Sequence, residues 1–142
     1  METRLIIGPG LRPAPPPALH AAHCLVIGGW TVVELSGEID CAAAGSVEWK
    51  LSGAIGPHCA DLLVDLSEVT FLDAAGLHVL ERAHARARAL GGGLRLVCPP
   101  GPARDRIRVL SGERRLPVFA DLGSAMAAGA PPHRGPGLRR NA

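Results

Sequence analysis

Residues 62–90 constrain the fold of this chain more than any other stretch, because they predict a buried strand followed closely by a helix. Residues 62–66 are almost wholly apolar, which is typical of a central strand that is covered on both faces. A short connection over residues 67–70 leads to Asp73, whose carboxylate can accept free backbone N–H groups at the start of a helix. Apolar residues then recur at three- and four-residue steps as far as Leu90, and three glycines at 91–93 end the helix.

Gly76 is an unusual residue in the first turn of this predicted helix. Glycine costs a helix about 1 kcal/mol relative to alanine, so its presence indicates that another group approaches the backbone closely. The sequence leaves open whether that group belongs to the sheet or to a partner protein.

The residues before this unit predict a β-hairpin and a helix. Residues 23–27 and 30–36 have the composition of two strands, and Gly28 and Gly29 between them form a tight turn. Asp40 is then expected to cap a helix whose buried stripe lies between residues 44 and 55.

The residues after this unit predict four more elements. Residues 94–98 form a strand parallel to residues 62–66, because a helix connects the two. A short helix begins at Pro102, residues 117–119 form a last strand, and Asp121 caps a last helix. The predicted fold class is therefore α/β, with a four- to five-stranded mixed sheet and helices packed mainly on one face.

Length and composition predict one domain, over residues 21–128. A chain of 142 residues is long enough for a single core, and 47% hydrophobic residues argue against a disordered chain. The Pro-rich residues 1–20 and the Gly-, Pro- and Arg-rich residues 129–142 are predicted to be flexible tails. Since only 3% of residues are aromatic, we expect a core of Leu, Val, Ile and Ala, helped by Phe71, Phe119 and Trp49.

Composition also argues against several classes of function. A net charge of +2 and few aromatic residues give no basis for a nucleic-acid site. No apolar run approaches the roughly 20 residues that cross a bilayer, and no signal-peptide pattern is present, so we expect a cytoplasmic protein without membrane insertion. Cys24, Cys41, Cys59 and Cys98 form no C-x-x-C pair, so we interpret them as small buried hydrophobes and expect no metal and no cofactor.

No arrangement of residues in the sequence indicates catalysis. Residues 91–93 follow a helix instead of a strand, so they cannot form a phosphate-binding loop. Asp40 and Asp73 both stand where strands give way to helices and could converge as a carboxylate pair, but two helix caps explain the same residues without catalysis, and we favour the caps. His78 is expected to face solvent on its helix. The sequence therefore gives no indication of an enzyme.

Two separated motifs resemble a known family. D-L-S-E-V-T-F-L-D-A-A-G-L, at residues 65–77, and G-E-I-D, at residues 37–40, are similar to the signature of the STAS domain, in particular that of bacterial anti-sigma factor antagonists. The family pattern at the turn is Asp-Ser-Ser-Gly-Leu, and an anti-sigma factor kinase phosphorylates its first serine. Asp73, Gly76 and Leu77 match that pattern, whereas Ala74 and Ala75 replace both serines.

The resemblance implies that the protein binds an anti-sigma factor, a histidine-kinase-like ATPase, and so frees a sigma factor. It implies a partner-binding surface on the turn and the neighbouring segment, namely Glu38, Asp40, Cys41, Val69, Thr70, Asp73, Ala74, Ala75, Gly76, Leu77 and His78. Because alanine has no oxygen that can accept a phosphoryl group, the usual phosphorylation switch is expected to be absent.

An alternative within the family is a STAS accessory subunit that binds the ATPase of an ABC-type lipid transporter, a role that needs no phosphoserine. A nucleotide-binding enzyme is the least supported class. The sequence leaves open whether the chain forms a homodimer.

Overall fold

The computed structural model describes residues 19–57, 59–111 and 116–129. These residues form the strands β1 (Leu19–Ile27), β2 (Trp30–Ile39), β3 (Asp61–Leu72), β4 (Gly93–Val97) and β5 (Val118–Phe119). They also form the helices α1 (Ala44–Ala54), α2 (Ala74–Ala89), α3 (Pro102–Ser111) and α4 (Leu122–Ala127). The predicted tails lie almost entirely outside these ranges. Across the described ranges, no helix combines the length and the apolar character that a membrane span requires.

The strands form one sheet in the order β1-β2-β3-β4-β5. β1 and β2 are antiparallel and are joined by Gly28 and Gly29, whose φ angles of 57° and 87° suit a two-residue hairpin turn. The remaining neighbours are parallel, because α1, α2 and α3 each connect one strand to the next. This arrangement confirms the predicted α/β class and the mixed sheet.

The helices lie mainly on one face of the sheet, as predicted. The larger core cluster combines buried residues of β2, β3 and β4 with those of α1, α2 and α3, including Leu51, Leu80 and Ile107. A smaller cluster on the opposite face packs Ala125 of α4 against Trp30 and Leu63. Three helices therefore cover one face, and one short helix covers the other.

β3 is longer than the sequence pattern indicated. Residues 67–70, which were predicted to be a connection, continue the strand and pair with the end of β2, where Glu38 lies opposite Phe71 and Ile39 opposite Leu72. Two register shifts interrupt this pairing, so buried and exposed residues no longer alternate regularly. Because of these irregularities, the second half of β3 resembles a loop in sequence.

Several residues expected in the core lie on the surface instead. Trp49 is 76% exposed and Phe71 is 38% exposed, whereas Trp30, which was not predicted, is 2% exposed in the smaller cluster. Of the four cysteines only Cys98 is buried, where desolvation raises the pKa of its thiol. The prediction of buried cysteines was therefore wrong for the other three.

The predicted helix end at the glycines is confirmed. The N–H of Gly92 donates to the carbonyl of Ala87 at 2.8 Å, and that of Gly91 donates to Arg88 at 2.9 Å, with a φ of 92° at Gly91. These bonds satisfy carbonyls that have no partner within the helix. A Cβ atom on Gly92 would overlap the carbonyl oxygen of Ala60, so this end of α2 is tightly packed.

Candidate functional site

Asp73 lies between β3 and α2 and caps the helix, as predicted. Its Oδ1 accepts the N–H of Gly76 at 3.0 Å, which satisfies a free donor of the first turn. Its Oδ2 accepts the N–H of Cys41 at 3.2 Å, and its own N–H donates to the carbonyl of Ile39 at 3.2 Å. One residue thus ties the start of α2 to the segment that follows β2.

The group that approaches Gly76 is the end of β2. A Cβ atom on Gly76 would overlap the carbonyl oxygen of Ile39 and lie 2.7 Å from its Cγ2. Of the two alternatives that the sequence left open, the sheet is therefore the one that requires glycine. A bulky residue at position 76 would disturb the fold before it could act on any partner.

Asp40 stabilises a turn and does not cap α1 directly. Its Oδ1 accepts the N–H groups of Ala42 and Ala43 at 3.0 Å each, and α1 begins only at Ala44, without a side-chain cap. The prediction that Asp40 caps α1 was therefore wrong, because the N-cap position is occupied by Ala43, three residues later. Asp40 and Asp73 both accept backbone N–H groups, which is a structural use of the two carboxylates.

The eleven predicted partner-binding residues divide into an interior and a surface group. Gly76 is buried, and Val69 and Leu77, at 8% and 2% exposure, belong to the larger core cluster. The others reach the surface, either exposed or half-buried, and we call them the turn surface: Glu38, Asp40, Cys41, Thr70, Asp73, Ala74, Ala75 and His78. The hydroxyl of Thr70 donates to the carbonyl of Gly37 at 3.3 Å.

Arg106, a neighbour of the turn surface, was not found from the sequence. Arg106 of α3 donates from Nε to the carbonyl of Leu72 at 2.7 Å, and its guanidinium carbon lies 5.3 Å from the centroid of the Phe71 ring. Residues 71 and 106 are brought together only by the packing of α3 against β3. No local pattern could have shown this contact.

The side chains of the turn surface determine which chemistry is available there. Among residues 19–57, 59–111 and 116–129, no three His, Cys, Asp or Glu side chains gather in a way that could hold a metal ion. The turn surface carries three carboxylates, one imidazole and the methyl groups of Ala74 and Ala75. Such a mixture of charged and apolar groups on a rigid turn suits contact with another protein.

Comparison with known families identifies the domain. The sequence model of the STAS domain matches residues 23–125 of this 142-residue chain. The chain belongs to the STAS domain family. The match covers most of β1, all the remaining strands, α1, α2 and α3, and therefore includes the whole turn surface.

Several solved structures share the fold. The crystal structure of an anti-sigma factor antagonist from Mycobacterium paratuberculosis is similar with a TM-score of 0.67 at 29% identity, over 81% of this chain and 97% of that one. The Bacillus cell fate determinant SpoIIAA in its phosphorylated form gives 0.56 at 21% identity, over 75% of this chain and 97% of that one. The murine anion transporter solute carrier 26 A9 gives 0.60 at 22% identity, over 71% of this chain and 18% of that one. The last two likenesses show the fold alone.

Proposed function

We propose that this STAS protein is an anti-sigma factor antagonist in the bacterial cytoplasm. It binds an anti-sigma factor of the histidine-kinase-like ATPase class through the turn surface and so frees a sigma factor. We further propose that serine phosphorylation does not switch this binding off. The observation that carries the proposal is the exposed methyl group of Ala74 at the first residue of α2, directly after the Asp73 cap.

The fold supports a docking role for this turn. Asp73 and Gly76 hold the start of α2 against the end of β2, so that Ala74 and His78 project from a fixed backbone. The 29%-identical Mycobacterium paratuberculosis structure is that of an anti-sigma factor antagonist, and its likeness extends over 97% of its length. Both observations favour recognition of a protein over chemistry at the site.

The position of Ala74 explains what a charge would do there. A phosphoryl group at the first helical residue meets free N–H groups and the positive end of the helix dipole, so the domain itself tolerates it. A partner that lies flush against the turn must instead desolvate about 1.5 to 2 negative charges, which opposes binding. Alanine keeps the shape of the turn and removes the phosphoacceptor.

The test is to incubate the wild-type chain and Ala74→Ser with a purified anti-sigma factor kinase and ATP. We expect no phosphate on the wild-type chain and a complex that persists, but phosphate and loss of the complex for Ala74→Ser. Ala74→Asp should weaken binding about a hundredfold or more without ATP, because an unpaired carboxylate is then buried at the contact. Phosphate incorporation and complex lifetime are measured together.

The matched control is Ala85→Asp, which places the same charge on an exposed alanine of α2 away from the turn. It should leave the affinity within about threefold of the wild-type value. Phosphorylation of the wild-type chain at Thr70 or Ser67 with loss of the complex would contradict the absence of a switch. Undiminished binding by Ala74→Asp would contradict docking at the turn.

A further inference from the structure

Apolar side chains that would ordinarily be buried lie exposed on α3 and beside it. Val109 is 80% exposed and Leu110 is 40% exposed, although α3 buries Ala103 and Ile107 against the sheet. Phe71, at the end of β3, is 38% exposed. A cluster of exposed apolar side chains on one part of a small domain is a common mark of a protein contact.

Arg106 links these residues into one surface. Its Nε donates to the carbonyl of Leu72 at 2.7 Å, and its guanidinium carbon lies 5.3 Å from the centroid of the Phe71 ring. Val109 and Leu110 follow Arg106 by three and four residues, so they flank it on the same side of the helix. We call Phe71, Arg106, Val109 and Leu110 the α3 patch.

The charge of the α3 patch is not neutralised within the described part of the chain. No described carboxylate forms an ion pair with Arg106, whereas Arg82 on α2 pairs with Glu48 at 2.8 Å. The contact with Leu72 occupies one N–H of the guanidinium and holds the group in a fixed position. A guanidinium held in this way favours a carboxylate, which it can bind through two parallel hydrogen bonds.

We propose that the α3 patch is a second part of the contact with the anti-sigma factor and receives an acidic and apolar segment of that protein. The segment places a carboxylate on Arg106 and an apolar side chain against Phe71, Val109 and Leu110. The patch adjoins the turn surface, since Leu72, whose carbonyl holds Arg106, directly precedes Asp73. This inference rests on the proposed function and adds the chemistry of the partner.

The experiment measures binding of a purified anti-sigma factor kinase to the full chain by isothermal titration calorimetry. Arg106→Glu should weaken binding at least about tenfold, because it sets two carboxylates against each other. Val109→Asp should weaken it by a similar factor, and it changes a residue that contributes nothing to the core. Wild-type binding should also weaken more than binding by Arg106→Gln when the salt concentration is raised, because salt screens the charge pair.

Arg108→Glu is the matched control. This variant makes the same change of charge as Arg106→Glu, two residues further along α3 and on a different side of the helix. It should leave the affinity for the kinase within about threefold of the wild-type value. Thermal melting of each variant, compared with the wild-type chain, separates a loss of binding from a loss of fold.

The outcomes separate this inference from the proposed function. Weakening by Ala74→Asp, Arg106→Glu and Val109→Asp supports both. Weakening by Ala74→Asp alone overturns the inference and leaves the proposed function standing, and failure of the wild-type chain to bind overturns both. A dimer in light scattering that Val109→Asp dissociates, with unchanged kinase affinity, assigns the patch to a second copy of the chain and also overturns the inference.

Discussion

The two ends of α2 are each held by a glycine that has no room for a side chain. At the start, Gly76 lies against the carbonyl group of Ile39, and beyond the end, Gly92 lies against that of Ala60. The surroundings of Gly92 serve packing and helix termination: Ala60 is 1% exposed, and the N–H groups of Gly91 and Gly92 bond to the last carbonyls of α2. Around Gly76, by contrast, lie the exposed residues Ala74 and His78.

The comparison shows that the same kind of contact, a glycine against a backbone carbonyl, has different consequences at the two ends of α2. Beyond the end of α2, close approach to the sheet fixes only the helix and the strand that follows. At the start, the same close approach also sets the position of the turn surface, which we propose as the docking site of a partner protein. Loss of the contact should therefore lower stability at both ends, but should alter recognition only at the start.

The largest expected effect comes from filling these two contacts. Gly76→Ala and Gly92→Ala should each lower the free energy of unfolding by about 2–4 kcal/mol, because the new methyl group overlaps backbone that cannot move aside. Urea denaturation measures the loss. Gly45→Ala and Gly53→Ala in α1 are the controls, because a Cβ atom on either residue meets nothing within 4 Å. Alanine favours a helix over glycine, so the free energy of unfolding should rise by up to about 1 kcal/mol in each control.

If Gly76→Ala proved as harmless as Gly45→Ala, the close contact with Ile39 would not exist in solution. If Gly92→Ala weakened partner binding as much as Gly76→Ala in chains that remain folded, the distinction between the two ends would fail.

A smaller effect is expected when the Asp73 carboxylate is removed. Asp73→Ala should cost about 1–2 kcal/mol, the usual value of a helix cap, and should free two N–H groups that lie far apart in sequence. Amide hydrogen exchange should then become faster at both Gly76 and Cys41. Asp40→Ala is the control, since within the described ranges its carboxylate accepts from Ala42 and Ala43 alone, and exchange should accelerate at those two residues.

The smallest effect concerns acid pH and the last turns of α2. His84 lies in α2, and its Nδ1 accepts the N–H of Leu94 at 3.0 Å. Burial, assisted by the charge of Arg88, lowers the pKa of His84 below its usual value of 6.5. The unfolded chain therefore binds the proton more readily than the folded chain.

It follows that the contribution of His84 to the free energy of unfolding is fully present above about pH 6.5. This contribution is lost as the pH falls through the lowered folded pKa of His84. The melting temperature should decrease by a few degrees more in the wild-type chain than in His84→Asn, whose Oδ1 can accept the same bond without titrating. His78→Asn, at the exposed histidine near the start of the helix, is the control and should follow the wild-type chain. If the melting temperature decreased equally in all three chains, protonation of His84 would not contribute to the loss of stability at acid pH.

Much of the fold followed from local sequence patterns. The apolar run of β3, the Asp73 cap and the glycines after α2 each have a local physical cause, so they could be read without tertiary information. The second half of β3 could not, because its pairing with β2 contains two register shifts that break the alternation of buried and exposed residues. The exposure of Trp49 and Phe71 depends on which side of an element packs, and hydrophobicity alone does not determine that.

The construction of the turn could not be predicted from the sequence, and its role as a binding site stays a prediction. The family resemblance directed attention to the turn, and eight of the eleven predicted residues reach the surface there. The bond from Cys41 to the Asp73 carboxylate and the contact of Arg106 with Leu72 each join residues more than thirty positions apart. The first pair arises from the order of strands in the sheet and the second from the packing of α3 against β3, and no single stretch of sequence contains either.

Under the proposed function, the contact between Gly76 and Ile39 also affects the kinetics with which a partner binds and leaves the turn surface. Because the turn surface is fixed to the sheet before any partner arrives, association needs no preceding rearrangement, and little conformational entropy is lost at this site. The observed rate should then rise linearly with partner concentration and show no slow isomerisation phase. Under the same proposal, with Ala74 at the position that the family pattern gives to the phosphorylated serine, the dissociation rate alone should determine how long the partner remains bound.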